Sequence, residues 1–105
     1  MKLSYIFHSG FVLETEQSIL VFDFWLDPCG VMDNVLQSEK PMYVFSSHFH
    51  EDHFTKEIFE RFKVGLFVPM HFTTGFESSW RMKEFTDEKN ITFWEINREG
   101  ETIGI

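Results

Sequence analysis

The sequence contains one cysteine, no run of Lys or Arg, and no apolar stretch near the length of a membrane span. A single cysteine, Cys29, excludes an intrachain disulfide. Without a basic run, the chain offers no electrostatic footprint to a nucleic-acid backbone. A span needs about 20 apolar residues, and the N-terminal segment lacks the apolar core of a signal peptide. We therefore expect a cytoplasmic protein that binds neither nucleic acid nor membrane.

Aromatic residues are abundant, at 18% of the 105 residues with 14 Phe, and the net charge is −8. A chain of this length fits one domain, residues 1–105. Each aromatic ring buries roughly 150–250 Å², and a small domain has much surface for its volume. Some of these rings are therefore expected at an interface, although an aromatic-rich core explains them equally well.

Short apolar runs separated by turn residues predict an α/β (α+β) domain with a mixed β-sheet and flanking helices. The predicted strands cover residues 2–7, 11–14, 19–24, 42–46, 64–68 and 91–96. The predicted helices cover residues 31–39, 54–63 and about 78–88. The strands at 19–24 and 42–46 are apolar enough to be buried on both faces. Gly10 is expected to supply an unusual backbone angle in the first hairpin turn.

Four residues that commonly bind metals follow the strand at 42–46 within six positions: His48, His50, Asp52 and His53. In extended backbone, residues i and i+2 point the same way, so the first two histidines can chelate one ion. The carboxylate and the third histidine then point elsewhere and can reach a second ion. Imidazole and carboxylate ligands suit Zn²⁺, Mn²⁺ or Fe. The alternative is a solvated, histidine-rich loop.

This H-x-H-x-D-H pattern resembles the signature of the metallo-β-lactamase superfamily. The chain looks like a shortened member, in which the family's front part, to about residue 62, joins its tail, from about residue 64. His71, in Val-Pro-Met-His-Phe, resembles the late histidine ligand of the second metal. Taken alone, His71 would also fit a structural histidine at a strand end.

Asp23, which ends the run Ile-Leu-Val-Phe-Asp, resembles the family aspartate that lies beneath the metal site and orients a ligand histidine. An ordinary aspartate at a strand end is the alternative. His8 resembles a histidine that follows the first strand in one branch of the superfamily, and a turn or pocket-wall role fits it best. The sequence assigns no role to Trp25 or Cys29.

The resemblance implies a metal-dependent hydrolase holding one or two Zn ions, with Mn or Fe possible, on His48, His50, Asp52, His53 and His71. Metal-bound water would attack an ester, lactone, amide or phosphoester of a small-molecule substrate. Asp52 would also act in catalysis, by orienting the nucleophile.

The chain departs from the family pattern between His53 and His71, where it has neither His nor Asp. Family members carry a third histidine of the first site there, and a bridging aspartate. A non-catalytic metal-binding or self-associating remnant is therefore the alternative function, and a purely structural domain without metal is a third. We also expect a homodimer or higher oligomer, which could complete an α/β/β/α sandwich.

The ligand pattern predicts that the purified protein carries Zn, Mn or Fe, at about one ion per chain or more. Replacing His48 and His50 together by Ala should remove much of this metal, because both belong to the predicted ligand set. Elemental analysis of the dialysed proteins measures the change. An unaltered metal content in the double variant would show that these histidines are not ligands.

Overall fold

A six-stranded sheet organises the chain in a computed structural model, which describes residues 1–47, 57–70, 86–88, 91–96 and 98–104. The described part is a small mixed α+β domain with little helix. Its strands are β1 Lys2–Phe7, β2 Gly10–Glu14, β3 Ile19–Phe22, β4 Met42–Ser46, β5 Val64–Pro69 and β6 Thr92–Phe93. Its helices are the 3₁₀ helices Val31–Asp33 and Val35–Gln37 and the α-helix α1, Glu57–Arg61.

The strands lie in the sheet in the order in which they occur in the chain. The first three form an antiparallel meander, whereas β3, β4, β5 and β6 run parallel to one another. A polar turn joins β2 to β3, and in it the Thr15 N–H donates to the Ser18 carbonyl at 2.9 Å. Antiparallel strands can be joined by such short turns, while parallel strands need crossover connections.

One face of the sheet, the inner face, carries the core. Val12, Val21, Val44 and Phe67 occupy matching positions on β2 to β5 and are at most 1% exposed. Helix α1 covers this face, since the Phe59 ring meets the Phe67 ring edge-on at 5.4 Å. The remaining members of the same buried cluster include side chains from both 3₁₀ helices, from α1 and from the residue that follows α1: Met32, Val35, Ile58 and Phe62.

The opposite face, the outer face, is also apolar but is incompletely covered. Its first row, from β1 to β5, is Leu3, Leu13, Leu20, Tyr43 and Leu66, and its second row is Tyr5, Phe11, Phe22, Phe45 and Val68. The side chains from β1 to β4 are half-buried or exposed, and only the two from β5 are buried. The expectation that β3 and β4 are buried on both faces is therefore wrong.

Several predicted boundaries change in the structure. The strand predicted at residues 19–24 ends at Phe22, because Asp23 adopts a left-handed backbone angle (φ 47°). The predicted helix at 31–39 consists of two 3₁₀ turns, held by bonds such as Ser38 N–H to Val35 carbonyl at 3.0 Å. So short a segment gains little from α-helical bonding. The strand predicted at 91–96 is reduced to two residues.

Of the helix predicted over residues 54–63, α1 covers Glu57–Arg61, and the helix ends two residues earlier than predicted. Residues 54–56 lie outside the described residues. Most of the helix predicted at 78–88 also lies outside them. Among the residues that the structure describes, no helix is long and apolar enough to cross a membrane.

Gly10 is needed for close packing, and the prediction that it supplies a left-handed turn angle is wrong. The positive φ of this hairpin belongs to His8, at 55°. Gly10 begins β2 and is buried, and a Cβ built on it would lie 3.1 Å from the carbonyl oxygens of Asp23 and Phe7. Both neighbours are backbone atoms, so they cannot move aside as a flexible side chain would.

The substitution Gly10→Ala should therefore destabilise the protein, by about 1–3 kcal/mol. Gly65→Ala is the matched control, because Gly65 also lies in a strand, β5, and its added Cβ would make an ordinary 3.5 Å contact with the Met42 carbonyl. That control should change stability by less than about 0.5 kcal/mol. Urea denaturation measures both, and equal losses in the two variants would refute the close-packing role of Gly10.

Candidate metal centre

Asp23 stands where β3 leaves the sheet, and it is a buried polar residue, 8% exposed. Its N–H still donates to the Phe45 carbonyl at 2.8 Å, so its backbone continues the pairing with β4. Its left-handed φ then turns the chain away. This conformation costs a residue other than glycine roughly 1–2 kcal/mol, and Asp and Asn adopt it more readily than most.

The Asp23 carboxylate holds the end of β4 by two short hydrogen bonds. The Ser47 N–H donates to Oδ1 at 2.6 Å, and the Ser47 hydroxyl lies 2.8 Å from Oδ2. Hydrogen bonds to a carboxylate are stronger than those between neutral groups. Ser47 is the residue immediately before His48, so this contact fixes the backbone from which the histidine motif starts.

The ends of β4 and β5 are neighbours at the same edge of the sheet. Ser46 and Pro69 occupy matching positions, and the Met70 N–H donates to the Ser46 carbonyl at 2.9 Å. The residues that follow these two strand ends are His48, after Ser47, and His71, after Met70. The two segments predicted to supply metal ligands therefore leave the sheet side by side.

The β1–β2 hairpin reaches this same edge. His8 lies at its tip, and the centroid of its ring is 5.7 Å from that of the Trp25 ring in a tilted contact. The Phe7 ring makes a second tilted contact with Trp25, at a centroid distance of 5.6 Å. The hairpin contacts β3 through Gly10, whose backbone approaches the Asp23 carbonyl. This packing agrees with a wall or turn role for His8 and Trp25.

The loop after Trp25 is stabilised by Asp27. Its two carboxylate oxygens accept the Val31 and Met32 N–H groups, each at 2.8 Å, and so satisfy the start of the first 3₁₀ helix. Gly30, with φ 67°, makes the turn. Cys29 is exposed and forms no disulfide. These contacts explain the Asp-Pro-Cys-Gly segment as a capped turn.

All five predicted ligands, His48, His50, Asp52, His53 and His71, lie outside the described residues. The structure therefore describes the supports of the predicted site: Asp23, Ser47 and the paired ends of β4 and β5. Within the described ranges, no group of three or more His, Cys, Asp or Glu side chains could hold a metal ion.

Ser47 was not singled out by the sequence reasoning, although it is the residue that Asp23 holds. The available signal was the pair Ser46-Ser47 between a buried strand and the histidines, since a buried carboxylate at a neighbouring strand end needs donors. Polar residues at that junction supply both a backbone N–H and a hydroxyl.

A cleft of about 630 Å³ lies at the opposite end of the sheet from Asp23 and Ser47. It is open to solvent and is lined by the start of β4, the end of the second 3₁₀ helix and the residues after α1: Val35, Gln37, Ser38, Glu39, Lys40, Pro41, Met42, Phe62 and Lys63. None of these residues was predicted to act in chemistry. This cleft is therefore not the candidate functional site, despite its volume.

No protein-family model matches this sequence, and no curated protein or solved structure matches it either. The assignment of the site therefore depends on the residues themselves and on the geometry of the sheet edge.

Removing the Asp23 carboxylate should destabilise the protein, because the Ser47 N–H and hydroxyl lose this acceptor. We expect Asp23→Ala to cost about 2–4 kcal/mol, and Asp23→Asn or Ser47→Ala about 1–2 kcal/mol. The exposed Asp33 provides the matched control, Asp33→Ala, with an expected change within about 0.5 kcal/mol. The free energy of unfolding in urea ranks the four variants. If the Asp23→Ala variant is no less stable than the Asp33→Ala variant, the contact between Asp23 and Ser47 contributes little to stability.

Proposed function

We propose that this protein is a metal-dependent hydrolase related to the metallo-β-lactamase superfamily. Its metal would be held by His48, His50, Asp52, His53 and His71, as Zn with Mn or Fe possible, in one or two ions. The substrate class is an ester, lactone, amide or phosphoester.

The observation that carries this proposal is the contact between Asp23 and Ser47. A buried carboxylate at one strand end, bonded to the residue before an H-x-H-x-D-H motif, is an arrangement that keeps the start of a ligand loop in one place. Supporting groups of this kind are a general requirement of metal sites, because they fix the position of the ligands. The ends of β4 and β5 are also hydrogen-bonded to each other. His48 and His71 therefore come, in sequence, shortly after two neighbouring strand ends.

The order of the sheet supports the same relationship. The resemblance predicts an opening β-meander followed by strands that alternate with helices, and the described strands β1 to β5 follow that order. In open α/β sheets, ligands bind beyond the carboxyl ends of the parallel strands. Asp23 and Ser47 stand at such ends, after β3 and β4.

The donor set also fits a metal, since three or more imidazole and carboxylate groups are typical of zinc sites. A bound ion of this type lowers the pKa of a coordinated water towards neutrality and so supplies a nucleophile for hydrolysis. Asp23 contributes by holding Ser47, and Asp52 contributes a carboxylate that both binds the ion and orients the nucleophile. The His8 and Trp25 rings form a wall at the same edge of the sheet.

A non-catalytic metal-binding or self-associating protein is the second candidate. The absence of His and Asp between His53 and His71 favours it. With His48 and His50 alone, the first metal site is one short of the three protein ligands usual for catalytic zinc. Both candidate functions predict a bound metal, but only the first predicts catalytic turnover.

The decisive experiment compares Asp52→Asn with Glu51→Gln, two amide substitutions of adjacent carboxylates. The metal-loaded proteins are assayed on an activated ester, a lactone and a phosphodiester. We expect metal-dependent turnover that Asp52→Asn lowers by about 100-fold or more, and that Glu51→Gln leaves within about threefold.

Two other results have distinct meanings. Metal bound by the wild-type chain, without turnover on any substrate class, would support the non-catalytic candidate. Equal losses in the two variants would show that Asp52 has no special role in the reaction.

A further inference from the structure

The outer face presents a continuous apolar surface over four strands. Eight side chains from β1 to β4 form it, and none carries a charge: Leu3, Tyr5, Phe11, Leu13, Leu20, Phe22, Tyr43 and Phe45. Their rings already pack across strands, with Phe22 stacked on Phe45 at 4.8 Å and Tyr5 tilted on Phe11 at 5.1 Å. The surface is therefore pre-formed as part of the sheet.

In the part of the chain that the structure describes, the connections between the parallel strands lie on the other face of the sheet. Strands β3 to β6 step across the sheet in one direction, and right-handed crossovers that step one way lie on the same face. The 3₁₀ helices and α1 belong to the inner cluster, and so does Ile91, just before β6. These described connecting elements do not cover the eight outer side chains, which are half-buried or exposed.

The exposed area is large for a chain of this size. Leu3 is 65% exposed, Tyr5 57% and Phe11 38%, and the other five are half-buried. Because a large aromatic side chain has roughly 200 Å² in all, the eight together present on the order of 500 Å² of apolar surface. A stable dimer of standard size buries about 800 Å² on each partner. The outer face can supply the apolar centre of such an interface, with polar residues at its rim.

The charge of the chain bears on which partner the outer face can bind. The chain has a net charge of −8, so two copies that met through acidic surfaces would repel each other. The eight outer residues are uncharged, and a two-fold pairing brings the same patch from both copies together. Two twisted sheets of the same hand pack face to face at about 10 Å, with their side chains interdigitating.

We infer that the outer face of the sheet is the interface of a homodimer, in which β1 to β4 of two copies form a sheet-on-sheet sandwich. The inference depends on the apolar patch alone, and a failure of the proposed metal chemistry would leave it intact. It also assigns five of the chain's aromatic residues to a defined surface.

Sedimentation velocity and light scattering at micromolar concentration test this interface. The wild-type protein should have twice the chain mass of 12.6 kDa. Leu3→Thr with Tyr5→Thr should raise the dimer dissociation constant by about 100-fold, because the two most exposed side chains of the patch then become polar. The matched control is Leu26→Thr, since Leu26 is 47% exposed but lies in a loop. This variant should remain dimeric.

Circular dichroism checks that the double variant keeps its secondary structure. A second measurement, photochemical cross-linking, does not require the double variant to fold. Tyr5 is replaced by the photoreactive p-benzoylphenylalanine, and the same residue is placed at Leu26 in a control. Irradiation should give covalent dimers from position 5 and none from position 26. A monomeric wild-type protein, a dimer that survives the double substitution, or equal cross-linking from both positions would overturn the inference.

Discussion

The carboxylate of Asp23 joins two strand ends that are far apart in sequence, and this contact fixes the backbone that leads into the predicted ligand segment. Parallel pairing of β3 with β4 brings Asp23 beside Ser47. The left-handed backbone of Asp23 turns the chain out of the sheet at the same point. Gly10 then allows the β1–β2 hairpin to pack against the Asp23 carbonyl. A single buried acidic residue thus links the meander, the parallel strands and the start of the histidine segment.

The two faces of the sheet are buried to different extents. Its inner face is a closed core in which Phe67 contacts Phe59 of α1 and stacks on Phe93 of β6. Its outer face has a similar apolar composition, but among the described residues no helix covers β1 to β4. This difference follows from topology, because connections between parallel strands that step one way lie on one side. Composition alone does not predict it.

Sequence reasoning recovered the elements whose pattern is local. The strands Lys2–Phe7 and Met42–Ser46 have the predicted bounds, since each is an apolar, β-rich run between turn residues. The turn from Thr15 to Ser18 separates two predicted strands, and its side-chain and backbone bonds span only three positions. The predicted helix is present as α1, in which Ile58 and Phe59 are buried.

The features that sequence reasoning missed depend on contacts between distant residues. The early end of β3 and the role of Gly10 both follow from the packing of the hairpin against Asp23. The outer face was predicted to be buried because an apolar strand gives no sign of whether a second layer covers it. For the site, the sequence identified Asp23 as a support but did not identify Ser47, its partner. The five metal ligands stay predictions.

The contact between Asp23 and Ser47 also closes a chain loop, because these residues are 24 positions apart. Closure entropy grows slowly with loop length, by roughly 0.6 kcal/mol for each doubling. Loop closure alone therefore puts little constraint on the number of residues between the two strand ends. Packing constrains it instead, because Met32 and Val35 of this connection are buried in the inner core. The geometry of this end of the sheet is set by the two residues at the base of the loop, Asp23 and Ser47.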